Sequence, residues 1–281
     1  MKTQIADFIK SKDYLVCIDS DGCAMDTMEV KHRKCFGPMA VEVWALEEVE
    51  EKVLEVWNRV NLYSRTRGIN RFKGLVRTFE EMAALGYSMP DFEDIRNWTE
   101  EAKELSNPAL VRALEETKSP QLDLTMTWSL KVNESIEALA GEDRPFPKVI
   151  EGLAALHPHA DIAIVSSANG KAVFEEWTRH GLAPYVELMC GQEAGSKAFC
   201  IGAVKTLGSY PADKVLMVGD APGDLAAAKE NGVFFYPIIA GHEGASWETL
   251  AETAMEKFLT GTFSGEYQDS LVDSFDKSLG A

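Results

Sequence analysis

Apolar positions follow two different patterns along this chain. Residues 14–18 form a short apolar run rich in strand-forming side chains, which is typical of a buried β-strand. The roughly 120 residues after it repeat their apolar positions at helical spacing and are dense in charge. From Pro147 onwards, short apolar runs alternate with helical segments, which predicts parallel strands joined by helices. The patterns together predict an α/β fold, a doubly wound parallel sheet with an inserted all-α domain.

These changes of pattern also set the expected elements and domain boundaries. Helices are expected at 46–57, 71–86, 91–104, 107–117 and 121–140, and later strands at 161–166, 185–190, 215–220 and 233–239. The expected domains are an α/β core of residues 1–22 and 146–260, a helical cap of residues 23–145, and a C-terminal tail of residues 261–281. The tail is polar and acidic, so we expect it to pack weakly.

The composition of the chain argues against some classes of binding partner. The 281 residues carry a formal net charge of −17, so there is no basic surplus to bind a phosphate backbone, and we expect no nucleic-acid partner. Five cysteines without a CxxC pair suit reduced thiols, and no apolar run approaches the length of a membrane span. We therefore expect a soluble cytoplasmic protein without a membrane partner, and a monomer by default.

The first strand runs directly into two carboxylates. Asp19 and Asp21 are one residue apart and Gly22 follows them. Open α/β sheets bind ligands at the carboxyl ends of their strands, and alternation places both aspartates on the same side. Two such carboxylates repel each other unless a cation or a proton lies between them. The alternative is an ordinary strand followed by an Asp-Gly turn.

Two polar groups follow the next predicted strands. Ser166, with Ser167 behind it, ends the second strand, where a hydroxyl can donate to an anionic oxygen; the alternative is a helix cap. Lys197 enters the helix after the third strand and can neutralise a bound phosphoryl group, although a lone lysine is usually a solvated surface charge.

A further pair of carboxylates follows the run at residues 215–219. Asp220 ends this strand, and Asp224 lies four residues on at the start of a helix, where it can also act as an N-cap. Burying Asp19, Asp21 and Asp220 near one another requires a counter-ion. Because hard oxygen ligands favour Mg²⁺, the sequence predicts a magnesium site.

These residues occur in the order of a known set of motifs. The segments Asp19-Ser20-Asp21-Gly22, Ser166, Lys197 and Gly219-Asp220-x-x-x-Asp224 resemble the four motifs of the haloacid dehalogenase superfamily. The insert occupies the position of the superfamily's helical type 1 cap. The resemblance implies a hydrolase of the phosphatase or β-phosphoglucomutase-like branch. The aspartate at position 21 favours phosphate-ester chemistry, since the dehalogenases and the phosphonoacetaldehyde hydrolases lack it.

The resemblance also implies a role for each motif residue. Asp19 is expected to be the nucleophile that forms an aspartyl-phosphate, and Asp21 the general acid and base. Ser166 and Lys197 are expected to hold the phosphoryl oxygens. The implied Mg²⁺ ligands are Asp19, Asp21 through its backbone carbonyl, Asp220 and the supporting Asp224.

The substrate contacts are less well defined by the sequence. Residues 64–74 are strongly basic, and Arg67 and Arg71 are candidates to bind an anionic part of the substrate together with Ser167; the alternative is a solvated loop. We expect a Mg²⁺-dependent phosphatase that acts on a small phosphorylated metabolite. A phosphomutase of sugar phosphates and a non-catalytic phospho-ligand-binding protein of the same fold are the alternatives.

Overall fold

The computed structural model of the chain describes residues 2–139 and 141–280. They form two compact units: the first consists of the described residues within 1–27 and 143–281, and the second of those within 28–142. Three residues lie outside the described part of the chain. They are Met1, the first residue of the predicted core, Ala140, the last of the final predicted cap helix, and Ala281, the last of the predicted tail. The role of the second unit as a cap stays a prediction.

The first unit is built on a parallel five-stranded sheet. Its strand order is β3-β2-β1-β4-β5. The strands are β1 (Tyr14–Ile18), β2 (Ala160–Val165), β3 (Leu188–Cys190), β4 (Val215–Gly219) and β5 (Phe234–Pro237). The central strand β1 pairs with both β2 and β4, placing Ile18 opposite Ile164 and Val218. The predicted fold class, a doubly wound α/β core with a helical insertion, is confirmed.

The second unit is helical. Its helices are α1 (Met28–Lys31), α2 (Gly37–Val43), α3 (Glu50–Leu62), α4 (Arg71–Ala84), α5 (Glu93–Glu101), α6 (Asn107–Thr117) and α7 (Pro120–Ala138). The predicted amphipathic helix is α3, which buries Val53, Val56 and Trp57. The Trp57 and Trp128 rings pack edge-on at 6.0 Å, and the indole of Trp128 donates to the carbonyl of Phe36 at 3.1 Å. An aromatic core therefore holds this unit together.

Helices of the first unit cover the sheet. They are α8 (Val149–Leu156), α9 (Gly170–Arg179), α10 (Lys197–Leu207), α11 (Pro222–Asn231), α12 (Glu243–Thr249), α13 (Met255–Thr260) and α14 (Glu266–Ser278). Among the helices of the described residues, none is long and apolar enough to cross a membrane. The five cysteines are free and buried.

The C-terminal segment corrects one expectation, because the weakly packed tail predicted for residues 261–281 was wrong. Helix α14 packs on the edge strand β5, with the Phe275 ring 5.4 Å from that of Phe235. The Gln268 amide accepts from the backbone N–H of Phe235 at 3.1 Å and donates to its carbonyl at 2.9 Å. Apolar residues at helical spacing outweigh the polar average composition of this segment.

A buried carboxylate ties the N-terminal segment to the sheet. Asp161 in β2 is fully buried and accepts the backbone N–H groups of Ser11 and Lys12, both at 2.9 Å. The hydroxyls of Ser11 and Tyr210 donate to the same carboxylate. Burial alone would raise the pKa of Asp161, but these hydrogen bonds outweigh it and lower the pKa below its ordinary value.

Asp161→Asn is expected to lower the free energy of unfolding by about 1–3 kcal/mol, because the amide nitrogen cannot accept the donors that face it. Because the pKa of Asp161 is lower in the folded than in the unfolded protein, its carboxylate contributes its full stabilisation of the fold at pH values above the unfolded pKa. The contribution is lost as the pH falls through the pKa of the folded state. The difference from wild type should therefore stay constant from about pH 8 to pH 5 and shrink below about pH 4.

Urea unfolding across this pH range measures the effect, with Asp213→Asn as the exposed control. Equal stabilities of the two variants at neutral pH would contradict the assignment.

Candidate active site

The motif residues lie at the carboxyl ends of neighbouring strands. Asp19 follows β1, Ser166 follows β2 and Asp220 follows β4, and β1 lies between the other two. The register continues past the strand ends, since the N–H of Asp19 donates to the Val218 carbonyl at 3.0 Å. The parallel sheet therefore brings these groups to one edge, as the sequence predicts.

A tight turn carries the chain from β1 through the two aspartates. The carbonyl of Ser20 accepts the N–H groups of Cys23, Ala24 and Met25 at 3.3, 2.9 and 2.8 Å. Gly22 has a φ of +82°, in the left-handed region that glycine adopts without strain. The turn fixes the directions of the side chains on both sides of Ser20.

Two buried tryptophans hold this turn from other parts of the first unit. The indole N–H of Trp177 in α9 donates to the Ser20 hydroxyl at 2.9 Å, and that of Trp247 in α12 donates to the Cys23 carbonyl at 2.9 Å. Both side chains are fully buried. They are positioning residues that the sequence analysis missed, because no local pattern links them to the turn.

Lys197 forms the central ion pairs of the site. Its Nζ lies 2.5 Å from Oδ2 of Asp19 and 2.6 Å from Oδ1 of Asp224. Burial alone would lower the pKa of Lys197, but the two carboxylates outweigh it and raise the pKa above its ordinary value. This lysine is therefore a largely buried, paired cation and not the solvated surface charge of the alternative interpretation.

Asp224 is both a helix-start residue and a member of the charged cluster. Its Oδ2 accepts the backbone N–H groups of Asp220 and Ala221 at 3.1 and 3.0 Å, while Oδ1 binds Lys197. Asp224 is therefore not the N-cap of α11, which is Ala221; it is the third residue of the helix, and its carboxylate accepts the backbone N–H of the N-cap residue. A Cβ on Gly219 would lie 2.3 Å from Asp224 Oδ2, so the close approach of α11 to β4 requires glycine.

Three carboxylates converge beside the Lys197 ammonium group. Oxygens of Asp19, Asp220 and Asp224, all buried, lie within 4.8 Å of one another. Burial, followed by the nearby Asp224 and Asp220, keeps the pKa of Asp19 well above its ordinary value despite Lys197. The excess negative charge and the all-oxygen donor set fit a hard divalent cation.

Asp21 has different surroundings. Its side chain is not part of the three-carboxylate group, and its Oδ1 accepts the hydroxyl of Thr27 at 2.6 Å. Thr27 is buried and was not identified from the sequence, where nothing marks a threonine six residues downstream. Metal binding through the Asp21 backbone carbonyl stays a prediction.

The two serines after β2 differ in exposure. Ser166 is buried and its Oγ accepts the N–H of Ala168 at 3.1 Å, which leaves the hydroxyl hydrogen as a donor. It is not the cap of α9, because Asn169 accepts the Ala172 N–H in that role. Ser167 is exposed on the same turn.

The two candidate arginines belong to the second unit. Arg67 is 6% exposed and donates to the Leu62 carbonyl at 2.7 Å, so a solvated loop does not describe it. Arg71 donates to Oδ1 of Asn133 at 2.8 Å. Their contact with a substrate stays a prediction.

A comparison with models of protein families identifies the family of this chain. The profile of the haloacid dehalogenase-like hydrolases matches residues 91–238, which is more than half of the chain and includes Ser166, Lys197, Asp220 and Asp224. The chain belongs to this family, as its four motifs predict, and is a hydrolase. A search of curated proteins finds no match.

Solved structures share the fold at low sequence identity. A candidate phosphoglycolate phosphatase from Lactobacillus delbrueckii subsp. bulgaricus is 15% identical, with a TM-score of 0.51 over 96% of this chain and 100% of that chain. A candidate beta-phosphoglucomutase from Thermotoga maritima is 16% identical, with a TM-score of 0.45 over 86% and 99% of the two chains. The first of these supports the α/β fold alone.

Lys197→Met is expected to destabilise the metal-free protein by about 3–5 kcal/mol, because it leaves the carboxylates of Asp19 and Asp224 buried without their ammonium partner. Chemical denaturation in the presence of EDTA measures the loss. Lys171→Met removes an exposed lysine whose nearest carboxylate is 3.8 Å away and should change stability by less than about 0.5 kcal/mol. If the two variants unfolded alike, Lys197 would not hold the cluster.

Proposed function

We propose that this hydrolase is a Mg²⁺-dependent phosphatase that acts on a small phosphorylated metabolite through an aspartyl-phosphate on Asp19. The observation that carries the proposal is the Lys197 ammonium held between Asp19 and Asp224, with Asp220 in the same buried group. A site that combines a nucleophilic carboxylate with a fixed cation suits phosphoryl transfer, where positioning and electrostatic stabilisation dominate.

The first displacement forms the covalent intermediate. An Asp19 oxygen bonds to phosphorus while the ester P–O bond breaks, and the leaving oxygen takes a proton from Asp21. The Thr27 hydroxyl donates to Oδ1 of Asp21 and thereby orients the carboxyl group that delivers the proton. The turn around Ser20 sets the separation of the two aspartates.

The second displacement releases phosphate. Asp21, now ionised, takes a proton from water, and the resulting hydroxide attacks phosphorus while the bond to Asp19 breaks. Lys197 and the Ser166 hydroxyl stabilise the phosphoryl oxygens in both steps. The Asp19 carboxylate returns to its ion pair with Lys197 at the end of the cycle.

Asp19, Asp220 and the supporting Asp224, with the Asp21 carbonyl, would hold Mg²⁺. When bound, the ion neutralises charge on the phosphoryl group and on the clustered carboxylates. The exposed Ser167 and the two arginines of the second unit are proposed to contact the rest of the substrate.

Mg²⁺ is expected to stabilise the folded protein through this cluster. At a concentration about 100 times its dissociation constant, it should raise the free energy of unfolding by about 2.7 kcal/mol. Asp220→Asn should lose most of this gain, since it removes a ligand charge, whereas Asp213→Asn should keep it. Unfolding in urea after EDTA treatment, with and without added Mg²⁺, measures the difference. An unchanged gain in Asp220→Asn would place the ion elsewhere.

The asparagine variants of Asp19 and Asp21 are expected to block the hydrolysis of p-nitrophenyl phosphate at different steps. Its leaving group needs no protonation, so Asp21→Asn should still phosphorylate Asp19 and then stall, giving a stoichiometric burst of p-nitrophenol. Steady turnover should fall by about 10²–10⁴-fold. Asp19→Asn should give neither burst nor turnover.

Stopped-flow absorbance with Mg²⁺, with EDTA, and with Asp213→Asn as control tests this scheme. A burst from Asp19→Asn would exclude it as the nucleophile. Isomerisation of a sugar phosphate that depends on a bisphosphate, without net phosphate release, would instead establish a phosphomutase.

A further inference from the structure

Arg71 occupies an unusual environment in the helical unit. It is the first residue of α4, and its guanidinium is partly buried. Nη1 donates to Oδ1 of Asn133 at 2.8 Å and, more weakly, to Oγ of Ser129 at 3.4 Å, both on α7. The guanidinium carbon lies 5.0 Å from the centre of the Phe36 ring. Neutral groups therefore make up its contacts.

Most other arginines of the described residues are neutralised by carboxylates. An Asp or Glu oxygen lies within ion-pair distance of seven of them, Arg33, Arg59, Arg77, Arg96, Arg112, Arg144 and Arg179. Within residues 2–139 and 141–280, no ion pair is formed by Arg71, although the chain has 45 acidic residues. Several of the paired guanidiniums are more than half exposed. An ion pair contributes least to stability at such positions, because water already solvates the charge.

This arrangement is costly without an anion. Burial lowers the pKa of Arg71 to about 10, and no nearby carboxylate offsets it. A guanidinium has five N–H donors in a fork that matches carboxylate and phosphate oxygens. Hydrogen bonds within the described residues use only Nη1, so Nε and Nη2 keep their donors for a ligand.

The neighbouring side chains favour the same class of ligand. Asn133 accepts from Arg71 through Oδ1, so its amide N–H groups remain to donate. The Ser129 hydroxyl donates to Oδ1 of Asn107 at 2.7 Å, which fixes Ser129 beside the guanidinium. The Phe36 ring lies close enough to the guanidinium for a cation–π contact, which helps to hold the group in place. No negative charge is present among these contacts to compete with an incoming anion.

We propose that Arg71 and Asn133, with Ser129 holding the guanidinium in place, form an anion site in the helical unit, which takes a carboxylate or phosphate group of a small molecule. The group can come from two sources: a second anionic group on the substrate, or a separate anionic effector. The first source rests on the proposed phosphatase function, and the second does not.

Binding is tested directly with malonate on the full-length ¹⁵N-labelled protein. The Nε–Hε resonance of Arg71 is assigned by its disappearance in Arg71→Met and followed during titration at constant ionic strength. We expect a saturable shift, which is retained in Arg77→Met, a variant of an exposed arginine on the same helix. No saturable shift at the Arg71 resonance, with malonate or with inorganic phosphate, would overturn the proposal.

Steady-state kinetics distinguishes the two sources. If the anion belongs to the substrate, Arg71→Met should raise the KM of carboxylate-bearing phosphate esters, relative to that of p-nitrophenyl phosphate, by at least about tenfold. If it is an effector, this ratio should stay constant while malonate still saturates the Arg71 resonance. Arg71→Lys, which keeps the charge but not the fork, should recover only part of the binding. Absence of phosphatase activity would leave the titration as a complete test of the site.

Discussion

Repulsion among buried carboxylates is the constraint on which the rest of the first unit depends. Asp19, Asp220 and Asp224 place their oxygens within 4.8 Å of one another, and Lys197 compensates part of their charge. Such a cluster stays buried only when its counter-charges are held in place. If the counter-charges could move away, the repelling carboxylates would separate and become solvated. The parallel sheet supplies this fixation by ending adjacent strands at one edge.

The scaffold around the cluster is correspondingly rigid. The glycine at position 219 lets α11 approach β4 closely enough for Asp224 to accept two backbone N–H groups. Indoles from two different helices hold the turn after β1. These contacts use neutral groups, so they orient the charged residues without adding to the charge imbalance.

The sequence predicted those parts of the molecule that are encoded by local patterns. The alternating strands and helices gave the fold class, and the strand-end positions of Asp19, Ser166 and Asp220 gave the main groups of the site. The contact between Trp177 and Ser20 joins residues 157 positions apart, and no periodicity reports such a pair. The prediction for the last residues was wrong because it rested on composition. The segment contains few apolar side chains, but those in α14 recur at helical spacing and form a packing face. The isolation of Arg71 from carboxylates was likewise invisible, since it depends on which helices meet.

The amide of Gln268 has a consequence for the sheet as a whole. Strand β5 is the last in the order β3-β2-β1-β4-β5, and its outer backbone groups would otherwise be open to pairing with a strand from another molecule. At Phe235, one glutamine side chain occupies both the donor and the acceptor, as a neighbouring peptide group would. Helix α14 therefore terminates the hydrogen-bond ladder at this point, and the final residues of the chain protect the sheet against edge-to-edge aggregation.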